Sequence, residues 1–212
     1  MGGGGNRADR SPGGVNAPTL YVDLASPYAY LAAARTEQLF SAVVEFQPVL
    51  LGAIFQRRGR GSWAHTEGRG EGMAEAEKRA RRYGLPPIVW PHDWPANALA
   101  ADRAATWATQ QGVGDRFILS LYRRQFARGE DVSQLEVLAS AAQDVGIEGQ
   151  ELVDAIQQPE VKDALRRATD GAWELGVRGV PTIRVDGQLF YGDDRLEEAA
   201  ESLRRDNPSR CR

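Results

Sequence analysis

The stretch Thr19-Leu20-Tyr21-Val22-Asp23-Leu24-Ala25-Ser26-Pro27-Tyr28-Ala29-Tyr30-Leu31 changes period in its middle. Residues 19–24 are a short apolar run that reads as a mostly buried strand. Ser26 stands where a helix N-cap belongs, and Pro27 takes the first helical position, where a missing N–H costs nothing. The spacing of Tyr30, Leu31, Ala34, Gln38 and Leu39 predicts one helix from Pro27 to Phe40. Val43 to Val49 reads as a second strand. This end of the chain is thus a minimal βαβ unit whose first turn is Ala25-Ser26-Pro27-Tyr28.

At the far end, Thr182–Val185 and Gln188–Tyr191 flank Asp186-Gly187, a strong two-residue hairpin signal, and Leu196 to Arg205 follows as a helix. The pattern between the two ends is helical. It covers Glu71 to Tyr83, Asn97 to Gln111, Asp115 to Arg128, Leu135 to Asp144 behind a Ser133–Glu136 capping box, Glu148 to Ile156, and Pro159 to Glu174. A Pro- and Trp-rich connector runs from Ile88 to Pro95. A βαβ unit and a ββα unit that complete one sheet make the thioredoxin arrangement. The expected fold class is therefore α/β, a thioredoxin-like fold with a large inserted all-helical domain. Residues 1–18 are expected to be a disordered tail, 19–55 and 175–212 the discontinuous thioredoxin-like domain, and 56–174 the insertion.

The 212 residues carry a net charge of -3 without the basic stripe that nucleic acid demands. No apolar run nears the roughly 20 residues of a membrane span, and the Gly-rich start lacks a signal-peptide core. A cytoplasmic protein without nucleic-acid or membrane partners is expected. Lys78 and Lys162 are the only lysines, and with the Ala-rich helices this arginine bias reads as the product of a GC-rich bacterial genome. Cys211 is the only cysteine, which excludes a disulfide framework, a Cys-x-x-Cys pair and a cysteine-ligated zinc. His65 and His92 are too isolated for a metal site or a Ser-His-Asp triad and are expected in loops or on the surface.

Three places carry chemistry. At Ser26, unpaired backbone N–H groups and the positive end of a helix dipole converge, a setting suited to an anion. In thioredoxin-like proteins this turn holds Cys-x-x-Cys, but here it is Ser26-Pro27-Tyr28-Ala29, so dithiol exchange cannot occur at it. A serine hydroxyl can instead donate to the thiolate of a bound small thiol. Bringing a thiol pKa from about 8.5 to about 7 takes about 2 kcal/mol in favour of the anion. A charge-assisted hydrogen bond of ~1.5–3 kcal/mol and a dipole contribution of ~0.3–1 kcal/mol suffice. The same residue also reads as a plain N-cap. Gly179-Val180-Pro181-Thr182 puts proline at the first residue of a strand, where sterics alone tolerate it. In the thioredoxin arrangement such a proline faces the active turn and leaves the preceding N–H and C=O free for a peptide-like ligand. In Gly192-Asp193-Asp194-Arg195, an aspartate either caps the last helix or accepts from a ligand ammonium group. Trp63, Trp90 and Trp94 read as core or as the wall of an apolar pocket, Trp94 foremost because of its place in the connector.

Six blocks in order, Tyr21 to Leu31, Pro48 to Phe55, Arg82 to Pro86, Trp94 to Leu99, Gly176 to Thr182 and Phe190 to Leu196, resemble one family. It is that of the 2-hydroxychromene-2-carboxylate isomerases and kappa-class glutathione transferases, a branch of the DsbA-like thioredoxin superfamily. The resemblance implies glutathione, or another low-molecular-weight thiol, as cofactor. It makes Ser26 the catalytic residue at the sulfur, with Pro27 and Tyr28 near the ligand. It also has Val180 pairing with the cysteinyl backbone, Pro181 as a cis-proline, and Asp193 and Asp194 at the γ-glutamyl end with Arg195 nearby. A family isomerase adds the thiolate reversibly to an unsaturated aromatic acid, so that a stiff double bond can rotate; a transferase keeps the adduct. One stretch departs from the pattern. Gln56-Arg57-Arg58-Gly59-Arg60 stands in place of a small-residue turn ending in Gly-Asn, with Arg60 where the ligand-holding Asn would be. Arg57, Arg58 and Arg60 read as receivers of a substrate carboxylate or as solvated loop residues. The resemblance implies a small-molecule substrate and allows a homodimer. A non-catalytic thiol- or peptide-binding module is the competing reading, and a disulfide oxidoreductase conflicts with the cysteine count.

Overall fold

In the computed structural model, which describes residues 17–206, four strands form one mixed sheet. β1 (Thr19–Val22) pairs in parallel with β2 (Glu45–Pro48) and antiparallel with β3 (Thr182–Val185), which pairs antiparallel with β4 (Gln188–Tyr191), giving the order β2-β1-β3-β4. Leu20 is opposite Phe46 on one side and Ile183 on the other, so the central strand is apolar on a buried line. The β3–β4 turn has Asp186 at φ 46° and Gly187 at φ 85°, the two left-handed residues that a tight hairpin of matching twist requires. The chain folds as a thioredoxin-like α/β protein. Of the expected tail, residues 1–16 lie outside the described residues, as does Cys211, while the Pro18 C=O accepts from the Glu45 N–H at 2.8 Å.

Helix boundaries follow the sequence with three exceptions. The expected helix 27–40 is two pieces, α1 (Pro27–Ala33) and α2 (Thr36–Leu39). The break lets Arg35 turn inward, where its guanidinium stacks on the Tyr83 ring at 3.6 Å, donates to the Asp193 C=O at 3.0 Å and pairs with Glu197. A further helix, α3 (Leu51–Arg57), follows β2 and has no local cap. Its first N–H groups are met from afar, Leu50 N–H by Thr169 Oγ1 at 3.0 Å and Leu51 N–H by Asp23 Oδ2 at 2.8 Å. The capping box is absent, because Ser133 Oγ donates to Asp131 Oδ2 at 2.8 Å in a turn of its own. The remaining helices are α4 (Arg69–Arg82), α5 (Leu99–Gln110), α6 (Gly114–Arg128), α7 (Leu135–Asp144), α8 (Gly149–Ala155), α9 (Pro159–Glu174) and α10 (Leu196–Asp206).

The buried apolar side chains form one cluster that joins the sheet to the helices. α5 presents Ala101, Ala104, Ala105 and Ala108 on its buried face, and side chains this small let α5 lie close against its neighbours. α6 supplies the bulk, with Phe117, Tyr122 and Phe126 fully buried. Polar ties fix the register of helices on sheet: Asp115 Oδ1 accepts from the Phe46 N–H at 2.9 Å, and Tyr122 O–H donates to the Asp23 C=O at 3.0 Å. These contacts hold the end of β1, and with it the turn to α1, in a rigid frame.

Candidate active site

Ser26 sits at the junction of β1 and α1. Its N–H donates to the Asp23 C=O at 3.0 Å and closes the turn, while its Oγ accepts from the Ala29 N–H at 3.2 Å and caps the helix. Among the described residues the hydroxyl proton meets no acceptor, so the group caps through a lone pair and can still donate. The cap is the contact that the structure gives this side chain, and it leaves the hydroxyl proton available. Because α1 has only seven residues, its dipole is that of a short helix, and the hydroxyl is left as the main local donor.

Ser26 lines a cavity of about 700 Å³ together with Tyr28, Trp63, Trp94, Val180 and Tyr191. Its aromatic wall is continuous: Tyr28 meets Trp63 edge-on at 6.0 Å and Trp63 lies 5.4 Å from Trp94, while Trp90 packs 4.5 Å from Trp94 against the core and does not line the cavity. The Trp63 ring rests directly on α4, where a Cβ on Gly72 would come within 2.3 Å of it. Trp94 is buried, precedes a cis-proline, and keeps an indole N–H without a partner among the described residues. Of the three loop arginines only Arg60 lines the cavity, stacked on Phe55 at 5.0 Å; Arg57 pairs with Asp170, and Arg58 donates to the Arg178 C=O at 2.7 Å. His65 is exposed at the cavity rim, and His92 is on the surface beside Asp93.

A second recess, about 370 Å³, shares Tyr28, Val180 and Tyr191 with the first and runs on to Pro181 and the turn 192–195. The Val180–Pro181 bond is cis, and neither the N–H nor the C=O of Val180 is bonded to other backbone among the described residues. The Pro181 C=O accepts from the Gly192 N–H at 2.9 Å, which ties together the two segments that line this recess. Gly179 lies under Tyr191, since a Cβ there would come 2.7 Å from the ring.

The two aspartates of the turn differ in a way the sequence did not indicate. Asp193 neither caps the last helix nor faces solvent: its carboxylate is buried, accepting from Arg79 at 2.8 Å and from the Tyr83 O–H at 2.8 Å. Burial pushes the Asp193 carboxyl up, and Tyr83 and Arg79 offset part of that shift. The Tyr83 phenol is pushed up to about 12, by burial first and then by Asp193. Burial works against the Arg79 cation, but Glu75, Asp193 and Asp194 outweigh it and keep the cation charged. Asp194 remains open, with 59% of its side chain exposed. Arg195 is held by Glu198 at 2.6 and 2.7 Å rather than by either aspartate. Arg79, reaching from α4 into the same recess and 5.3 Å from the Tyr28 ring, is a site residue that no motif announced.

Two further acids lie behind Ser26. Asp23 accepts from the Ala25 N–H at 2.9 Å and the Leu51 N–H at 2.8 Å, and Asp102 of α5 accepts from the Leu24 N–H at 3.0 Å. Both line the larger cavity, yet are 6% and 1% exposed. Burial raises the pKa of each, and the Asp23 charge raises that of Asp102 further. A sequence signal for Asp102 exists: it shares a helical face with Ala98, Ala101 and Ala105, where an unpaired acid has no structural reason to be. Among the described residues no three His, Cys, Asp or Glu side chains gather to hold a metal ion, and no helix is long and apolar enough to cross a membrane.

A serine at the thioredoxin turn, a cis-proline just ahead of β3 and helices lodged between the sheet's two halves define a class. The chain belongs to the DSBA-like thioredoxin domain family, whose pattern matches residues 19–204. It is 29% identical over 186 residues to the 2-hydroxychromene-2-carboxylate isomerase of Sphingobium xenophagum, a match covering 84% of this chain and 93% of that enzyme. It is 27% identical over 201 residues to glutathione S-transferase kappa 1 of Homo sapiens, covering 87% and 89%. The solved structure of a selenomethionine 2-hydroxychromene-2-carboxylate isomerase shares its fold at a TM-score of 0.79 and 18% identity, over 91% of this chain and 98% of that one. Both curated relatives are enzymes.

Proposed function

We propose that the protein is a glutathione-dependent isomerase of an aromatic unsaturated acid, with Ser26 stabilising the thiolate. The observation that carries this reading is the Ser26 hydroxyl, whose proton meets no acceptor among the described residues, set in a cavity walled by Tyr28, Trp63 and Trp94 and shared with Val180. The residues fit the peptide thiol on chemical grounds. Val180 offers an unengaged N–H and C=O for the cysteinyl backbone, Asp194 an open carboxylate for the ammonium end, and Pro27 and Tyr28 border the sulfur position. When held there, glutathione would supply a nucleophilic sulfur for reversible addition to a conjugated double bond. Ser26 Oγ–H donates to the sulfur and favours its ionised form. The aromatic wall excludes water and stacks the ring of the substrate, and Arg60 faces the carboxylate.

The similar identity to glutathione S-transferase kappa 1 favours a second reading, in which the adduct itself is released. Calorimetric titration with glutathione, followed by turnover of hydroxychromene-type and benzylidene-pyruvate acids, tests both readings. Geometric isomers with glutathione regenerated support the first, and a stable conjugate the second. Binding without turnover of any electrophile leaves only a thiol-binding module. Ser26→Ala is expected to lower turnover about 10- to 1000-fold while costing about 1 kcal/mol of stability. Unchanged kinetics in that variant would remove the serine from the chemistry.

A further inference from the structure

Consecutive backbone amides, those of Leu24 and Ala25, hold Asp102 and Asp23 respectively, so two carboxyl groups from different elements are brought together behind the Ser26 turn. Asp23 has both oxygens engaged by N–H donors, the second by Leu51 at the start of α3. Asp102 has one oxygen so engaged. Among the described residues no lysine, arginine or histidine pairs with either carboxylate, and Tyr122 from α6 donates only to the Asp23 backbone. The other titratable groups around the cavity are Tyr28, Arg60, His65 and Tyr191. Both carboxylates are buried on consecutive amides of one turn, the Asp23 charge acts on Asp102, and no counter-ion pairs with either among the described residues, so the ionisation of one opposes that of the other near neutral pH. A structural acid pair would be expected in the closed core, but both of these residues border the cavity that holds Ser26.

We propose that Asp23 and Asp102 share one proton at neutral pH and act as the proton acceptor of the site, taking up the proton released when a bound thiol becomes a thiolate. The inference rests on the thiol-binding reading above. The step balances without a further reagent: the ligand S–H bond breaks, its electron pair stays on sulfur, and an O–H bond forms on the pair, which becomes neutral. Reversal returns the proton when the thiol leaves. Removing one negative charge from behind the turn at the moment a sulfur anion forms in front of it keeps the local charge constant. This is what a buried site of low polarity favours.

The free protein gives the first test. Carbon-13 NMR of labelled aspartates should show one carboxyl still protonated at pH 7, with that signal lost in Asp102→Asn. Finding every aspartate ionised at that pH overturns the pair, and no ligand is needed to learn it. The second test is calorimetry of glutathione binding in buffers of different ionisation enthalpy. The wild type should release well under one proton per thiol bound, whereas Asp102→Asn, with Asp23 left as an ordinary held carboxylate, should release about one. Asp23→Asn serves as the second variant and should behave alike. Equal release from all three proteins overturns the acceptor role. No heat of binding from the wild type fails the thiol reading and the acceptor role with it, while the NMR titration still decides whether the proton is shared.

Discussion

Asp193 and Asp194 are adjacent in sequence and opposite in circumstance. Asp193 is the buried keystone between α4 and the turn 192–195, with Arg79 and Tyr83 both spending donors on it. Asp193→Ala leaves those donors facing a void, and because Arg79 keeps some solvent the expected loss is about 2–3 kcal/mol, below that of a fully enclosed ion pair. Urea denaturation measures it. Asp194→Ala removes only a 3.8 Å ion pair with Arg79 from an exposed side chain and should cost under about 0.5 kcal/mol, yet weaken glutathione binding roughly tenfold through the ammonium contact proposed for it. Calorimetry separates the two residues cleanly: a stability loss at 194 or an affinity loss without destabilisation at 193 would reverse their assigned roles. The Gly-Asp-Asp-Arg string marked both aspartates only as candidates for a helix cap or a ligand contact. Their division of labour was not legible there, because it depends on where a helix 110 residues earlier places Tyr83.

Elements whose boundaries are written in local chemistry were readable: β3 and β4 around Asp186-Gly187, α9 behind Pro159, and the Ser26-Pro27 start of α1. Elements fixed from a distance were not. The break between α1 and α2 falls in Ala33-Ala34-Arg35, which contains no helix breaker; it exists because Arg35 is drawn inward to Tyr83, Asp193 and Glu197. α3 begins without a local cap because Asp23 and Thr169 supply the acceptors. The same distinction explains the site. Ser26, Val180 and Pro181 announce themselves as turn and strand-start residues, while Arg79 takes its meaning only from the packing of α4, and Asp102, marked in the sequence only as an acid on an apolar face, is set behind the Ser26 turn only by the packing of α5. The turn before α10 shows how an element positions the site. Gly192 has φ 110° and ψ 150°, a conformation open in practice only to glycine, and a Cβ there would lie 2.4 Å from Asp194 Oδ1. Gly192→Ala should therefore cost about 1–3 kcal/mol and, under the proposed function, raise the KM for glutathione by swinging Asp194 away. Unaltered melting and binding would show that the turn tolerates another path.

The dependence of the whole molecule's stability on pH follows from which carboxyls are raised and which are lowered. Glu75, Asp131, Asp144 and Glu198 have pKa values held below the usual range by hydrogen bonds and nearby cations. Their contribution is present above the unfolded carboxyl pKa and is lost as the pH falls through the lowered folded values. Asp23, Asp102, Asp115 and Asp193 have the opposite sign: burial favours their protonated forms in the native state, most fully at the completely enclosed Asp23 and Asp102. What they contribute is fully present below the ordinary carboxyl value of 3.8 and is lost as the pH rises through their raised folded values. Stability should thus fall on both sides of a mildly acidic maximum, with the alkaline-side fall belonging mainly to the buried pair. Asp102→Asn keeps an oxygen to accept from the Leu24 N–H and removes one of the two charges, so it should flatten the alkaline side and leave the acid side unchanged. Denaturant midpoints measured in closely spaced buffers from pH 4 to 9 for the wild type and this variant decide the matter. Parallel curves would mean that the pair is ionised in the folded protein throughout and that some compensating charge lies beside it.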